Sequence, residues 1–455
     1  EFVSYRPIAA SRFHDFKPED LTGKMSGHVS AEIPLQANIP MEELNWRVAL
    51  DYENLSVAKP FEGQHVTDAK GNLVVEPTHA EFSAVAKLNG VPADVHIVEP
   101  FGTAQIQRIR HIELNVDDQT REKLFPGLGL LVSGPFNAVY DREPDGREKI
   151  DLKLDSARLS VPWIGWRKGA GIPAKAAFYL SRNGEQIELS DFSLTGESFS
   201  LAGHVRLDRG SLQEATFQNA RFNRGDDFAA TIRRSGAGYA VSVNGAAFDA
   251  RGLIKQIFGD AQTQGSSGDE DARSTPVTVK ASLGQISGFG GETLGQVEFT
   301  YSNDGKKPDE LTLAGAARSH GGVKVTKTSQ QGTTTIHASS SNAGAMFRFL
   351  DLYEHMEGGQ LTLALQGANN ENLAGQIDIR DFWIVDEPQM RSLVAATKES
   401  GRVDTTRVYF ERGAAGLGKG RASLRIANGV LRGPVIGSTF QGTLYDPNNR
   451  MDITG

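Results

Sequence analysis

Gly413-Ala414-Ala415-Gly416-Leu417-Gly418-Lys419-Gly420 has the two glycines and the lysine of a phosphate loop, in which backbone N–H groups and the ammonium would cradle a nucleotide. It lacks the Ser or Thr that would hold magnesium. The next residues, Arg421 to Ile426, alternate like a strand, where a helix N-terminus is needed to face the phosphates. The run is expected to be a glycine-rich turn. Ser56-Val57-Ala58-Lys59, Tyr301-Ser302-Asn303 and Lys327-Thr328-Ser329 keep the order of the three boxes of serine penicillin-recognising enzymes. The third box wants Gly where Ser329 stands. The first needs its serine at a helix start, yet Ser56 ends a strand pattern and Pro60 comes soon after. The 10 histidines are scattered, no two within five residues, and neither His-Glu-x-x-His nor an EF-hand ladder occurs. No Gly-x-Ser-x-Gly elbow is present, and Asp269-Glu270-Asp271 reads as part of a solvated loop. Paired carboxylates of a glycosidase need three dimensions to be located. The expectation is a chain that is not an enzyme, with no catalytic residues, no metal and no cofactor.

The elements that would carry any site are mostly strands. Trp46, Val48, Leu50 and Tyr52 fall on one face of an alternating run. So do Leu201, Val205 and Leu207, then Val241 and Val243, then Leu361, Leu363 and Leu365, then Ile377 and Ile379. Period two with a polar opposite face predicts half-buried antiparallel strands. Turn signals recur at Asn183-Gly184, Asp208-Arg209-Gly210, Asp304-Gly305 and Asn428-Gly429. Helical patterns are few: 118–125, 248–258, 388–397 and, longest, 342–357. In the last, Ala345, Phe349, Leu352 and Met356 make one apolar face, Asn342 is the N-cap and Gly358 or Gly359 the stop.

Residues 260–275 are almost free of apolar side chains and read as a flexible loop or linker. Gly and Pro cluster around Trp163 and Trp166, a softer boundary. The expected organisation is an N-terminal β-segment over 1–165, a middle β-repeat over 166–260, a linker over 261–275 and a C-terminal region over 276–455.

With 455 residues, 50 of them glycine, and 39% hydrophobic content, the chain can fold, but its core per residue is thin, as in elongated β-architectures. Net charge is −8 and no Lys- or Arg-rich run occurs, which argues against nucleic acid as a partner. With no cysteine, disulfides and thiolate metal sites are excluded, and the composition fits an exported protein in an oxidising compartment. No window of about 18 apolar residues could span a membrane. Neither the start at Glu1 nor the end at Gly455 looks like a natural terminus, so the chain reads as a piece of a longer protein.

Three stretches carry a resemblance. Ser341 to Gly359, Ile379-Arg380-Asp381-Phe382-Trp383-Ile384-Val385-Asp386-Glu387-Pro388 and Gly429 to Gly442 resemble the AsmA-like C-terminal region of large Gram-negative envelope proteins of the YhdP and TamB type. The match covers about 311–455, and residues 185–258 look like the preceding repeat of the same proteins. The resemblance implies an inner-membrane anchor through an N-terminal helix, a periplasmic location, and a long, curled β-sheet with an apolar groove that carries phospholipid toward the outer membrane. It carries over no catalytic residue.

The expected fold is therefore mainly β: an elongated, curled antiparallel sheet forming a repeating groove, with a few short helices. A lipid with about 30 methylenes would cost on the order of 20 kcal/mol to expose, at about 0.8 kcal/mol each, so a carrier needs a continuous apolar face. The residues expected to line it are Leu201, Val205, Val241, Val243, Leu361, Leu363, Leu365, Ile377 and Ile379. The alternatives are an envelope scaffold or regulator that carries no lipid, which predicts a filled core, and an enzyme acting on envelope glycans or lipids, which predicts a cleft with carboxylates.

Overall fold

The structure, a computed structural model, describes residues 20–32, 35, 45–59, 64–102, 104–124, 128–259, 275–304, 309–317, 321–369, 372–388, 404, 406–420, 423–445 and 450–454. It is mainly β with a few short helices, and its strands form an open sheet, not a closed barrel. The chain divides into two compact units, residues 1–160 with 168–197 and residues 161–167 with 198–455. The linker read from composition falls almost wholly outside the described residues.

The first unit is built on β1 (Leu21–Glu32), β2 (Asn45–Val57), β3 (Val66–Val75), β4 (His79–Leu88), β5 (Val91–Pro100), β6 (Ile109–Val116), β7 (Val132–Ser133), β8 (Phe136–Arg142), β9 (Glu148–Lys153), most of β10 (Arg158–Val161), the last residue of β11 (Trp166–Lys168), β12 (Ala174–Asn183) and β13 (Gln186–Gly196). Helix α1 (Asp118–Leu124) comes after β6, as the sequence predicts. Consecutive strands pair antiparallel, β6 with β8 and β9 with β12 across the short excursions. Alternation sends Tyr52, Ala84, Val95, Ile112, Tyr140, Ile150 and Phe178 to one face, in register from strand to strand. Tyr52 lies across that face, its hydroxyl donating to the Ser83 carbonyl at 2.8 Å and its ring stacked on Phe82. Buried Lys168 ties a turn together, Nζ donating to the carbonyls of Leu154 (2.6 Å) and Ala157 (2.8 Å). The Asn183 hairpin is present, with Asn183 paired to Gln186.

The second unit comprises β14 (Ser200–Asp208), β15 (Ser211–Arg221), β16 (Asp227–Ser235), β17 (Gly238–Asp249), α2 (Arg251–Gly259), β18 (Val277–Ser287), β19 (Thr293–Asn303), β20 (Glu310–Ala317), β21 (Gly322–Gln330), β22 (Thr333–Ser340), α3 (Ala343–Phe349), β23 (Met356–Asn369), β24 (Asn372–Val385), β25 (Arg407–Lys419), β26 (Ser423–Arg432), β27 (Gly437–Tyr445) and β28 (Arg450–Thr454). Each strand pairs antiparallel with the next, except that β17 and β18 run parallel. A parallel step needs a long crossover, and α2 supplies it. The turn at Arg209-Gly210 is a two-residue loop with both φ positive (49° and 72°), the hairpin geometry that matches strand twist.

Four expectations need correction. The helix expected over 342–357 is α3 alone. Asn342 caps it as predicted, its Oδ1 accepting from the Ala345 N–H at 3.0 Å, but the chain leaves the helix after Phe349 and Asp351 turns at φ 59°. Met356 already belongs to β23, and Leu352 is exposed. Gly358 and Gly359 stop no helix. At φ 66° and 89°, opposite Asp381 at 56°, they kink the β23–β24 ladder beneath α3. Local propensity lost here to strand pairing, since Glu357 and Gly358 pair with Trp383 and Phe382. Second, Asn428-Gly429 is a bulge inside β26. Asn428 at φ 50° takes up an extra residue, and the register on β27 shifts between Ile426 and Gly429. Third, the glycine-rich run at 413–420 belongs to strand β25 up to Lys419, and Gly413 leaves room for the ring of Phe382, 3.2 Å from where a Cβ would stand. Fourth, the helix expected from Phe248 starts at Arg251, because Phe248 and Asp249 complete β17. The helix expected over 388–397 lies, beyond its first residue, outside the described residues.

Candidate apolar binding face

The second unit places all nine sequence-predicted residues on one face of its sheet. Pairing carries the apolar character from strand to strand. Val205 stands opposite Ala215, then come Ile232, Val241, Val279, Tyr301 and Leu311 in one transverse row. The next row runs Phe217, Ala230, Val243, Ala281, Phe299, Leu313, Val325, Ala338, Leu363, Ile377 and Ala415. Leu365 continues the first row beside Ile336, Leu361 faces Ile379, and Leu201 faces Ala220. Their strands are far apart in sequence, and β-register alone brings them together.

The face is filled at one side and open at the other. On the filled side, Ile254 of α2 and Ala345, Met346 and Phe349 of α3 join Phe228, Leu283, Ile286, Leu294, Val297 and Val323 in one buried cluster. Leu201, Val243 and Leu313 border it. Helix α3 comes so close to β23 that a Cβ at Gly344 would lie 2.2 Å from the Met356 carbonyl oxygen. Arg348, one turn further along, pins it, donating to Glu292 at 2.7–2.9 Å and to the same Met356 carbonyl. Helix α2 is fixed by two aspartates. Asp226 is 2% exposed and accepts from the backbone of Phe222 (3.1 Å), Asn223 (2.8 Å) and Asp249 (2.6 Å). Asp249 accepts from the N–H of Arg251 (3.1 Å) and from its guanidinium (2.9 Å), which holds the carboxyl below the usual carboxylate range.

A second buried cluster lies under α3 toward the C-terminal strands: Ala343, Met356, Ile379, Phe382, Ile384, Val408 and Phe410, with Leu361 and Ile377 packed against it. Phe382 and Phe410 stack at 5.4 Å. Beside them opens a cavity of about 240 Å³ lined by Tyr353, Met356, Ile377, Ile379, Phe382, Leu431 and Phe440. That is below the roughly 300–1,000 Å³ of a small-molecule pocket and suits a short apolar segment.

Away from the helices the same face stays half-buried. Val205, Val241, Val279, Tyr301, Leu311, Ile336, Leu363 and Leu365 all keep some contact with solvent, as do Val243, Leu361 and Ile377 at the margins of the buried clusters. One residue, not anticipated from the sequence, breaks the apolar band. Lys327 replaces an apolar residue in the first row, between Leu311 and Ile336, and pairs with Asp309. Its side chain is only 13% exposed. The signal was visible in Val323, Val325, Lys327, where the third apolar position is a lysine.

The phosphate-loop run is strand, with no helix N-terminus behind it. Ser56 lies on strand β2 and not at a helix start, and Lys59 is engaged with Asp20 at 3.0 Å. Among the described residues no three His, Asp or Glu side chains stand in metal-binding geometry, and no helix is long and apolar enough to cross a membrane. No family model, curated protein or solved structure matches the chain.

Proposed function

We propose that this chain is a segment of a periplasmic, bridge-like lipid-transfer protein of AsmA-like type, which shields phospholipid acyl chains between inner and outer membrane on the apolar face of its sheet. The observation that carries this reading is the half-buried apolar band of the second unit. It crosses strands β14 to β25 in register, and apart from Lys327 and the buried Ala215 and Ala415 its residues are apolar side chains left half-buried. Contiguous apolar surface left partly in water marks a binding surface. An acyl chain gains about 0.8 kcal/mol per methylene laid on such a face, and the opposite polar face stays wet. The band also has what a filled core would lack: a helix-plugged side and an open side. The resemblance of 311–455 to the AsmA-like region supplies the substrate class and the compartment.

Lipid mass spectrometry on the chain, purified without detergent from a Gram-negative host, tests this. The expected result is phospholipid at one or more molecules per chain. A lipid-free protein that also fails to take up a fluorescent phospholipid would overturn the proposal and leave the non-transporting scaffold in its place.

A further inference from the structure

On the first unit, the polar face opposite Tyr52, Val95 and Ile112 carries a row that no apolar argument uses. Ser83, His96, His111 and Asp141 are consecutive cross-strand partners on β4, β5, β6 and β8. His96 and His111 stand directly opposite each other. Such pairs have Cβ atoms about 4.5–5.5 Å apart, close enough for two imidazoles to share one ion. Each ring is held by its Nδ1: His96 by the Ser83 hydroxyl at 3.0 Å, His111 by the Asp141 carboxylate at 2.6 Å. Fixing Nδ1 presents Nε2 as the ligand atom, the arrangement by which an outer carboxylate or hydroxyl orients a metal-binding histidine.

The next pair along the same face is Asp94 opposite Glu113. Like charges directly opposite destabilise a ladder, and a cation between them removes the repulsion. Asp94 is exposed, and Glu113 is oriented by the side-chain amide of Asn137 at 2.7 Å. Glu81, 3.9 Å from His96, and Asp141 add negative charge, while Lys149, next to Asp141, is paired with Asp151 at 2.9 Å. Two imidazole nitrogens on adjacent strands, with the Asp94 and Glu113 carboxylates beside them but not in ligating geometry, suit a divalent transition metal. They do not suit calcium or magnesium, which want oxygen ligands only.

We infer that His96 and His111 form a surface site for a divalent transition-metal ion, copper(II) above nickel(II) or zinc, completed by rotation of the Asp94 and Glu113 side chains. The site clamps β5 to β6. Its order of preference is the general stability order of divalent metals with nitrogen and oxygen ligands.

Calorimetric titration of the purified chain with Cu²⁺, Ni²⁺ and Zn²⁺, each alone, tests it, alongside H96N, H111N and the D94N/E113Q double variant. The expected result is one ion per chain, weakened at least tenfold by either histidine change and several-fold by the carboxylate pair. The copper resonance spectrum should show two nitrogen ligands in the parent and one in each histidine variant. Circular dichroism confirms that the exposed-face variants fold. Binding no tighter than millimolar, or stoichiometric binding that both histidine variants retain unchanged, would overturn the inference.

Discussion

Leu363→Glu isolates the apolar band from the fold that carries it. Leu363 is half-buried on β23, between Ala338 of β22 and Ile377 of β24. A carboxylate there keeps its water, and an acyl chain crossing the row must give up contact over about two or three methylenes. At about 0.8 kcal/mol each this is about 2 kcal/mol, roughly a thirtyfold loss of lipid affinity. The protein itself loses only the part of the leucine that was shielded, about 1 kcal/mol, so it should remain folded. The control is one residue away. Ala364 is exposed on the opposite face, between His337 and Gln376, and Ala364→Glu should leave lipid binding unchanged. Equilibrium uptake of a fluorescent phospholipid by the two variants gives the comparison. Equal losses in both, or no loss in Leu363→Glu, would refute the assignment of this face to lipid.

Gly344→Ala should cost about 1–3 kcal/mol in urea unfolding, because the added methyl group meets the Met356 carbonyl and must push α3 off β23. Gly322→Ala, with nothing within 4 Å of the added carbon, is the matched substitution that should cost far less. The Asp249–Arg251 pair gives a pH signature. The folded-state pKa of Asp249 is lowered by its hydrogen bonds to Arg251, so its contribution is fully present above the unfolded carboxylate value of about 3.9 and is lost as pH falls through the lower folded value. Asp249→Asn should therefore flatten the stability–pH curve below about pH 4, and a curve unchanged from the parent would count against the pair.

Much of this arrangement was legible in the sequence because the side-chain period of a strand is a local property. Leu361, Leu363 and Leu365 sit on one face whatever β23 pairs with, and so do Val241 and Val243. Which strands would adjoin was not legible, and with it the two long rows and the parallel β17–β18 step. Failures fell where tertiary contacts overrode a local pattern. The periodicity of Leu352 and Met356 is helical, yet Met356 finds a strand partner in Ile384. Asn428-Gly429 has turn chemistry, but its positive φ serves a bulge. The His96–His111 pair was invisible for a similar reason: its members lie on consecutive strands, and only the β5–β6 register sets them opposite each other.

Alternation alone favours a closed β-core over an open apolar face, and exposure along single strands bears on which of the two this sheet presents. On β18, Val277, Val279 and Ala281 are half-buried, while Leu283 and Ile286 are closed over by α2 and α3. On β19, Tyr301 and Phe299 are half-buried, while Val297 and Leu294 are each 2% exposed. The same face of the same strand is thus finished at one end and unfinished at the other. In a closed core both ends would be covered, since leaving a row of Val, Leu, Ile and Tyr partly in water forgoes about 25 cal/mol for each Å² left uncovered. Lys327 sharpens the point. A charged pair set into an apolar row costs desolvation, a cost that is smaller on an open face, where the ammonium can still reach water.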